Sequence, residues 1–107
     1  MSDQAREPQG ELAIRVLAMP ADTNPAGDIF GGWVLSQMDI AGGVVSNREA
    51  NGRCVTIGIE SMTFHKPVHV GDTLCCYVRI SKKGNTSITV HIESWAKRQY
   101  DDDNRVL

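Results

Sequence analysis

Between Asp28 and Ser46 the apolar residues Phe30, Val34, Met38, Ala41 and Val45 fall three and four positions apart. That spacing lines them along one stripe of a helix. The helix is expected to close around Asn47 to Gly52, where Asn51-Gly52 is a turn or C-cap signal. Asp28 is the predicted N-cap, its carboxylate accepting a backbone N–H of the first turn. Ahead of the helix, Leu12, Ile14 and Val16, extending to Ala18, alternate with Glu11, Ala13, Arg15 and Leu17. This predicts a strand with one buried face, ended by Met19-Pro20. After the helix the period drops to two. Cys54 to Phe64 reads as a long strand, Thr73 to Ser81 as a second and Thr86 to Lys97 as a third. Lys82-Lys83-Gly84-Asn85 is the expected hairpin turn between the last two. Arg105-Val106-Leu107 reads as the opening of a further strand, and residues 1–10 as a polar, frayed end. One amphipathic helix against an antiparallel sheet is an α+β architecture.

Composition narrows the function classes. The 107 residues allow one domain, and 41% hydrophobic content allows a core. Eleven Lys and Arg against 13 Asp and Glu leave no broad basic face for nucleic acid. No apolar run approaches the ~20 residues that span a bilayer, and the polar opening MSDQAREPQGE favours the cytosol. Cys54, Cys75 and Cys76 are odd in number, which is not a disulfide framework. Pro67 lies between His65 and His69 and rules out a helical pair of ligands, so no metal site is expected.

One acidic residue falls in the middle of the helix. Asp39 lies opposite the apolar stripe, with Ser36, Gly42, Gly43 and Ser46 as neighbours on that side. Each interior glycine costs a helix roughly 1 kcal/mol relative to alanine, so two in succession suggest close approach by a backbone or a ligand. A solvated Asp on an exposed face is the competing reading.

Taken in order, several motifs resemble the YciA-type bacterial acyl-CoA thioesterases, which have a hotdog fold. The first are Leu17-Ala18-Met19-Pro20 and Asp22-Thr23-Asn24-x-x-Gly27-Asp28-Ile29-Phe30-Gly31-Gly32-Trp33. Ser36-Gln37-Met38-Asp39, Glu60-Ser61-Met62 and Lys66-Pro67-x-x-Val70-Gly71-Asp72 continue the series. The resemblance runs from Leu17 to Lys97. It implies a curved antiparallel sheet wrapped around one long central helix, with a fifth strand beginning near Val106. This sequence stops there, so a partial chain or completion by a partner is expected. The resemblance also implies Asp39 as the catalytic carboxylate, general base or nucleophile, acting with Asn24. Gly27, Gly31 and Gly32 would form an oxyanion hole at the helix N-terminus. Lys82, Lys83, Gly84, Thr86 and Ser87 are the candidate cluster for CoA phosphates, with Arg53 and Lys97-Arg98 in reserve. No cofactor is implied beyond the CoA thioester itself as substrate. The resemblance further implies a homodimer sharing its active sites, paired through the strand near Cys54 to Phe64, and a hexamer built as a trimer of dimers.

Two rival readings compete with this one. A dehydratase or hydratase on this fold resembles enzymes with a catalytic His before the helix, and no His lies between Met1 and Phe64. The other is a non-catalytic acyl-CoA-binding module or an inactive fragment, against which the presence of both Asn24 and Asp39 counts.

Overall fold

The computed structural model describes residues 7–54 and 68–97, and the backbone of 104–106. Strand β1 spans Glu11–Leu17 and a short 3₁₀ turn spans Pro20–Asp22. Helix α1 runs over Gly31–Ala50, followed by β2 at Thr73–Lys83, β3 at Ile88–Lys97 and β4 at Asn104–Val106. The four strands form one antiparallel sheet in the order β1-β2-β3-β4, with α1 packed on one face. The expected strand between Cys54 and Phe64, with Glu60-Ser61-Met62 in it, lies outside the described residues apart from Cys54. So does the expectation for residues 1–6.

The core forms where two periodicities meet. Helix residues Val34, Ala41 and Val45 are buried against Leu74, Cys76 and Val78 of β2 and Ala96 of β3, with Met38 and Ile92 partly buried around them. Phe30 is not part of this stripe; it precedes the first helical turn and is 48% exposed. In β1 the alternation holds for Ile14 and Val16, which pair with Cys76 and Leu74 on the helix side. It fails at Leu12. An irregularity between Leu12 and Ile14 inserts Ala13 as an extra residue, so Leu12 pairs with Tyr77 on the far face and is 44% exposed.

Several boundaries move, and β3 begins at Ile88, two residues after the expected Thr86. Strand β2 continues through Lys83, so both lysines belong to its end, and the turn is closed by Gly84 N–H donating to the Ser87 carbonyl at 2.8 Å. The helix starts at Gly31, not after an Asp28 cap; Phe30 holds the cap position and gives no side-chain hydrogen bond. The reason is Ile29. It is buried, bridges Thr23, and donates its N–H to the Val68 carbonyl at 3.1 Å, which keeps residues 28–30 out of helical conformation. At the other end the expected Asn51-Gly52 stop is present, Asn51 adopting a left-handed φ of 51° while Gly52 N–H bonds the Asn47 carbonyl.

The sheet's far face also carries buried side chains. Glu93 and Trp95 of β3 are 6% and 2% exposed, and the Trp95 indole N–H donates to Glu93 Oε1 at 3.1 Å. His91 Nε2 lies 3.3 Å from the other Glu93 oxygen.

Candidate active site

The loop from Asp22 to Phe30 is organised by one side chain. Asn24 Oδ1 accepts the backbone N–H groups of Ala26 at 3.0 Å and Asp28 at 3.1 Å. Its own N–H donates to the Asp28 carbonyl at 2.7 Å, and its carbonyl accepts Gly27 N–H at 2.9 Å. Asn24 therefore builds the turn, and with its oxygen occupied, its Nδ2 amide is the group it can offer to a substrate. Gly27 sits at φ 91°, a conformation that favours glycine. Its N–H is bonded inside the turn, to the Asn24 carbonyl.

Gly31 and Gly32 open the helix, where amides have no intrahelical acceptor. Among the described residues neither N–H has a backbone acceptor. Among the described residues, a methyl group added at Gly32 would meet nothing within 4 Å.

Asp39 is exposed on α1. At about 100° per residue it shares a flank with Gly32, Ser36 and Gly43, beside the surface that packs on the sheet. Two of its expected neighbours do not belong to an open face. Gly42 and Ser46 are buried, and a Cβ at Gly42 would come within 3.1 Å of Ile92 Cδ1 and 3.6 Å of Val90 Cγ2. Gly42 is thus small because the sheet approaches it. Among the described residues, nothing lies within 4 Å of a Cβ added at Gly43, as at Gly32, and Ser36 and Asp39 between them are exposed.

Gly32 and Asp39 are seven residues apart, so they lie about 10 Å apart along the helix axis. Within a single chain the carboxylate and the helix-start amides are on the same flank, about two helical turns apart.

The buried thiols offer no competing nucleophile. Burial pushes the Cys75 thiol up, against the opposing pull of Arg15, and burial likewise raises Cys76, whose Sγ lies 3.5 Å from Ser94 Oγ. Both stay protonated and poorly reactive.

The candidate phosphate cluster is exposed around the β2–β3 turn, with Lys83 beside the last turn of α1. Lys83 Nζ is 3.7 Å from Glu49 Oε1, so part of its charge is already met by the helix. Glu49 is ten residues past Asp39, which puts the cluster about 15 Å along the axis from the carboxylate. Arg53 is exposed, Lys97 half-buried and Arg98 outside the described residues.

A further contact at this end of the molecule joins residues that no local pattern links. His69 brings Nδ1 within 3.7 Å of Asp28 Oδ1. The two are 41 positions apart, and neither sits in a pattern that points to the other.

Comparison with known proteins places this architecture. Residues 26–101 match the thioesterase superfamily. The acyl-CoA thioester hydrolase YciA of Salmonella typhimurium is 56% identical over 92% of this chain and 74% of its own length. The chain is a YciA-type acyl-CoA thioester hydrolase of the thioesterase superfamily. YciA of Escherichia coli is 55% identical over the same shares. Among solved structures, the hexameric thioesterase y2039 of Yersinia pestis superposes with a TM-score of 0.90 at 52% identity, covering 94% of this chain and 86% of that one. The hexameric broad specificity acyl-coenzyme A thioesterase HI0827 gives 0.89 at 45% identity over 95% and 71%. Cj0915 of Campylobacter jejuni, a hexameric hotdog fold thioesterase, gives 0.80 at 47% identity over 83% and 67%. The α+β hotdog fold is therefore that of the family, with α1 as its central helix.

Proposed function

We propose that this chain cleaves acyl-CoA to a free carboxylic acid and CoA, with Asp39 driving attack on the thioester carbonyl. Asp39 acts as general base to a water or as the attacking carboxylate itself. The observation that carries this reading is the exposed position of Asp39 on the helix flank it shares with Gly32, Ser36 and Gly43, where among the described residues an added Cβ at either glycine meets nothing within 4 Å. The negative charge that develops on the carbonyl oxygen needs N–H donors, and the Gly31 and Gly32 amides at the positive helix end suit that task. The Asn24 amide lies in the same loop and would orient the carbonyl or the water.

Since about 10 Å of helix separates these donors from Asp39 of the same chain, the donors that serve a given Asp39 come from a second copy. The working unit is then a homodimer with shared sites, and a hexamer assembled from three such dimers matches the hexameric relatives. Lys82 and Lys83, with Gly84, Thr86 and Ser87, would meet the CoA phosphates, Lys82 contributing more because Lys83 already faces Glu49. Three free thiols among the described residues suit a reducing compartment, so the cytosol is the proposed setting.

The test is thiol release from a panel of acyl-CoAs. Asp39→Asn should lose on the order of 10²–10⁴-fold in turnover while CoA binding persists. Unchanged turnover would remove Asp39 from the chemistry.

A further inference from the structure

We infer that His69 is a positioning residue for the Asn24 loop, clasping it through Asp28; this rests on the proposed role of Asn24. The chain of contacts starts in the core. Asp72 is fully buried; its Oδ2 accepts His69 N–H at 2.9 Å and its N–H donates to the His69 carbonyl at 3.0 Å. The turn carrying His69 is tied to the end of β1 by Ala18 N–H to the Asp72 carbonyl and Gly71 N–H to the Ala18 carbonyl, both 2.9 Å. From this fixed base the imidazole reaches Asp28 at 3.7 Å. Asp28 is in turn bonded to Asn24 in both directions, its N–H to Asn24 Oδ1 and its carbonyl to Asn24 N–H. The clasp thus acts one residue from the Ile29–Val68 hydrogen bond, on the residue that fixes the Asn24 turn.

The backbone bond at Ile29 holds the loop's trailing end and leaves its tip to the Asn24–Asp28 exchange. The imidazole beside Asp28 restrains that exchange from the outside. Both side chains are exposed, so the effect is small by nature, and its signature is coupling.

Two measurements on the full chain test this. In acyl-CoA hydrolysis, His69→Ala and Asp28→Ala should each lower kcat by about two- to five-fold, the range an exposed ion pair supports, with KM little changed. The double variant should be no worse than either single one, and His69→Lys should keep wild-type turnover. Additive losses, no loss, or a His69→Lys variant as impaired as His69→Ala would overturn the clasp. The second measurement needs no activity: amide hydrogen exchange across residues 22–30 should quicken equally in both single variants and no further in the double. Exchange unchanged from wild type would overturn the clasp whatever the turnover shows. Wild type without hydrolysis, together with quickened exchange, would sink the proposed chemistry and leave the clasp standing.

Discussion

Glu93 and Trp95 show how single side chains on the sheet's far face matter to stability. Trp95→Phe keeps most of the apolar area but deletes the indole N–H that Glu93 Oε1 accepts. Weakening the satisfaction of a buried carboxylate costs about 1–3 kcal/mol, so chemical denaturation should show a loss of that order with an unchanged m-value. The Arg48–Glu11 pair is the opposite case, fully exposed, with both guanidinium nitrogens on the carboxylate. The hydrogen bond from Arg48 holds the Glu11 carboxyl below its ordinary range, so the pair contributes stability above the unfolded carboxylate value, about 4.3, and loses it as pH falls through the folded one. The stability difference between wild type and Arg48→Gln, read from denaturation at stepped pH, should therefore be present at neutral pH and shrink as the solution is acidified past pH 4.

At the scale of elements, the two adjacent glycines of α1 separate packing from propensity. Alanine gains roughly 1 kcal/mol over glycine in a helix interior. At Gly43 the new methyl meets nothing, whereas at Gly42 it crowds Ile92 Cδ1 and Val90 Cγ2. Gly43→Ala should raise the unfolding midpoint more than Gly42→Ala does; the reverse order would mean that a partner presses on Gly43 in the assembled protein. The helix was legible from its period, as was β2 up to its end, because regular elements repeat their own signal. What escaped detection was set by contacts distant in sequence. Ile29 bonding Val68 moved the helix start past Asp28, and the irregularity at Ala13 turned Leu12 outward. Of the candidate site, Asn24, Gly31, Gly32 and Asp39 were readable as residue types in a familiar order. The loss of the Gly27 amide to the turn, and the approach of His69 to Asp28, follow from backbone geometry that no local pattern encodes.

For the whole molecule, the decisive length is the stretch of helix between Gly32 and Asp39. If the carboxylate of one copy works with the Asn24 loop of another, two inactive variants can repair each other. Asn24→Ala removes the amide and Asp39→Ala the carboxylate, so each alone has two defective sites per dimer. After subunits are exchanged at equal concentration, half the dimers are mixed. In each mixed dimer one site receives both lesions and the other receives neither. About a quarter of all sites should then regain wild-type turnover, as expected for an isologous pair with random exchange. Mass spectrometry of the intact oligomers confirms that exchange has happened before activity is read. Should mixed oligomers form and turnover stay at the level of the separate variants, Asp39 and the Asn24 loop would have to meet within one chain. The helix would then need to bend or unwind over two turns to bring them together, in conflict with its regular run from Gly31 to Ala50.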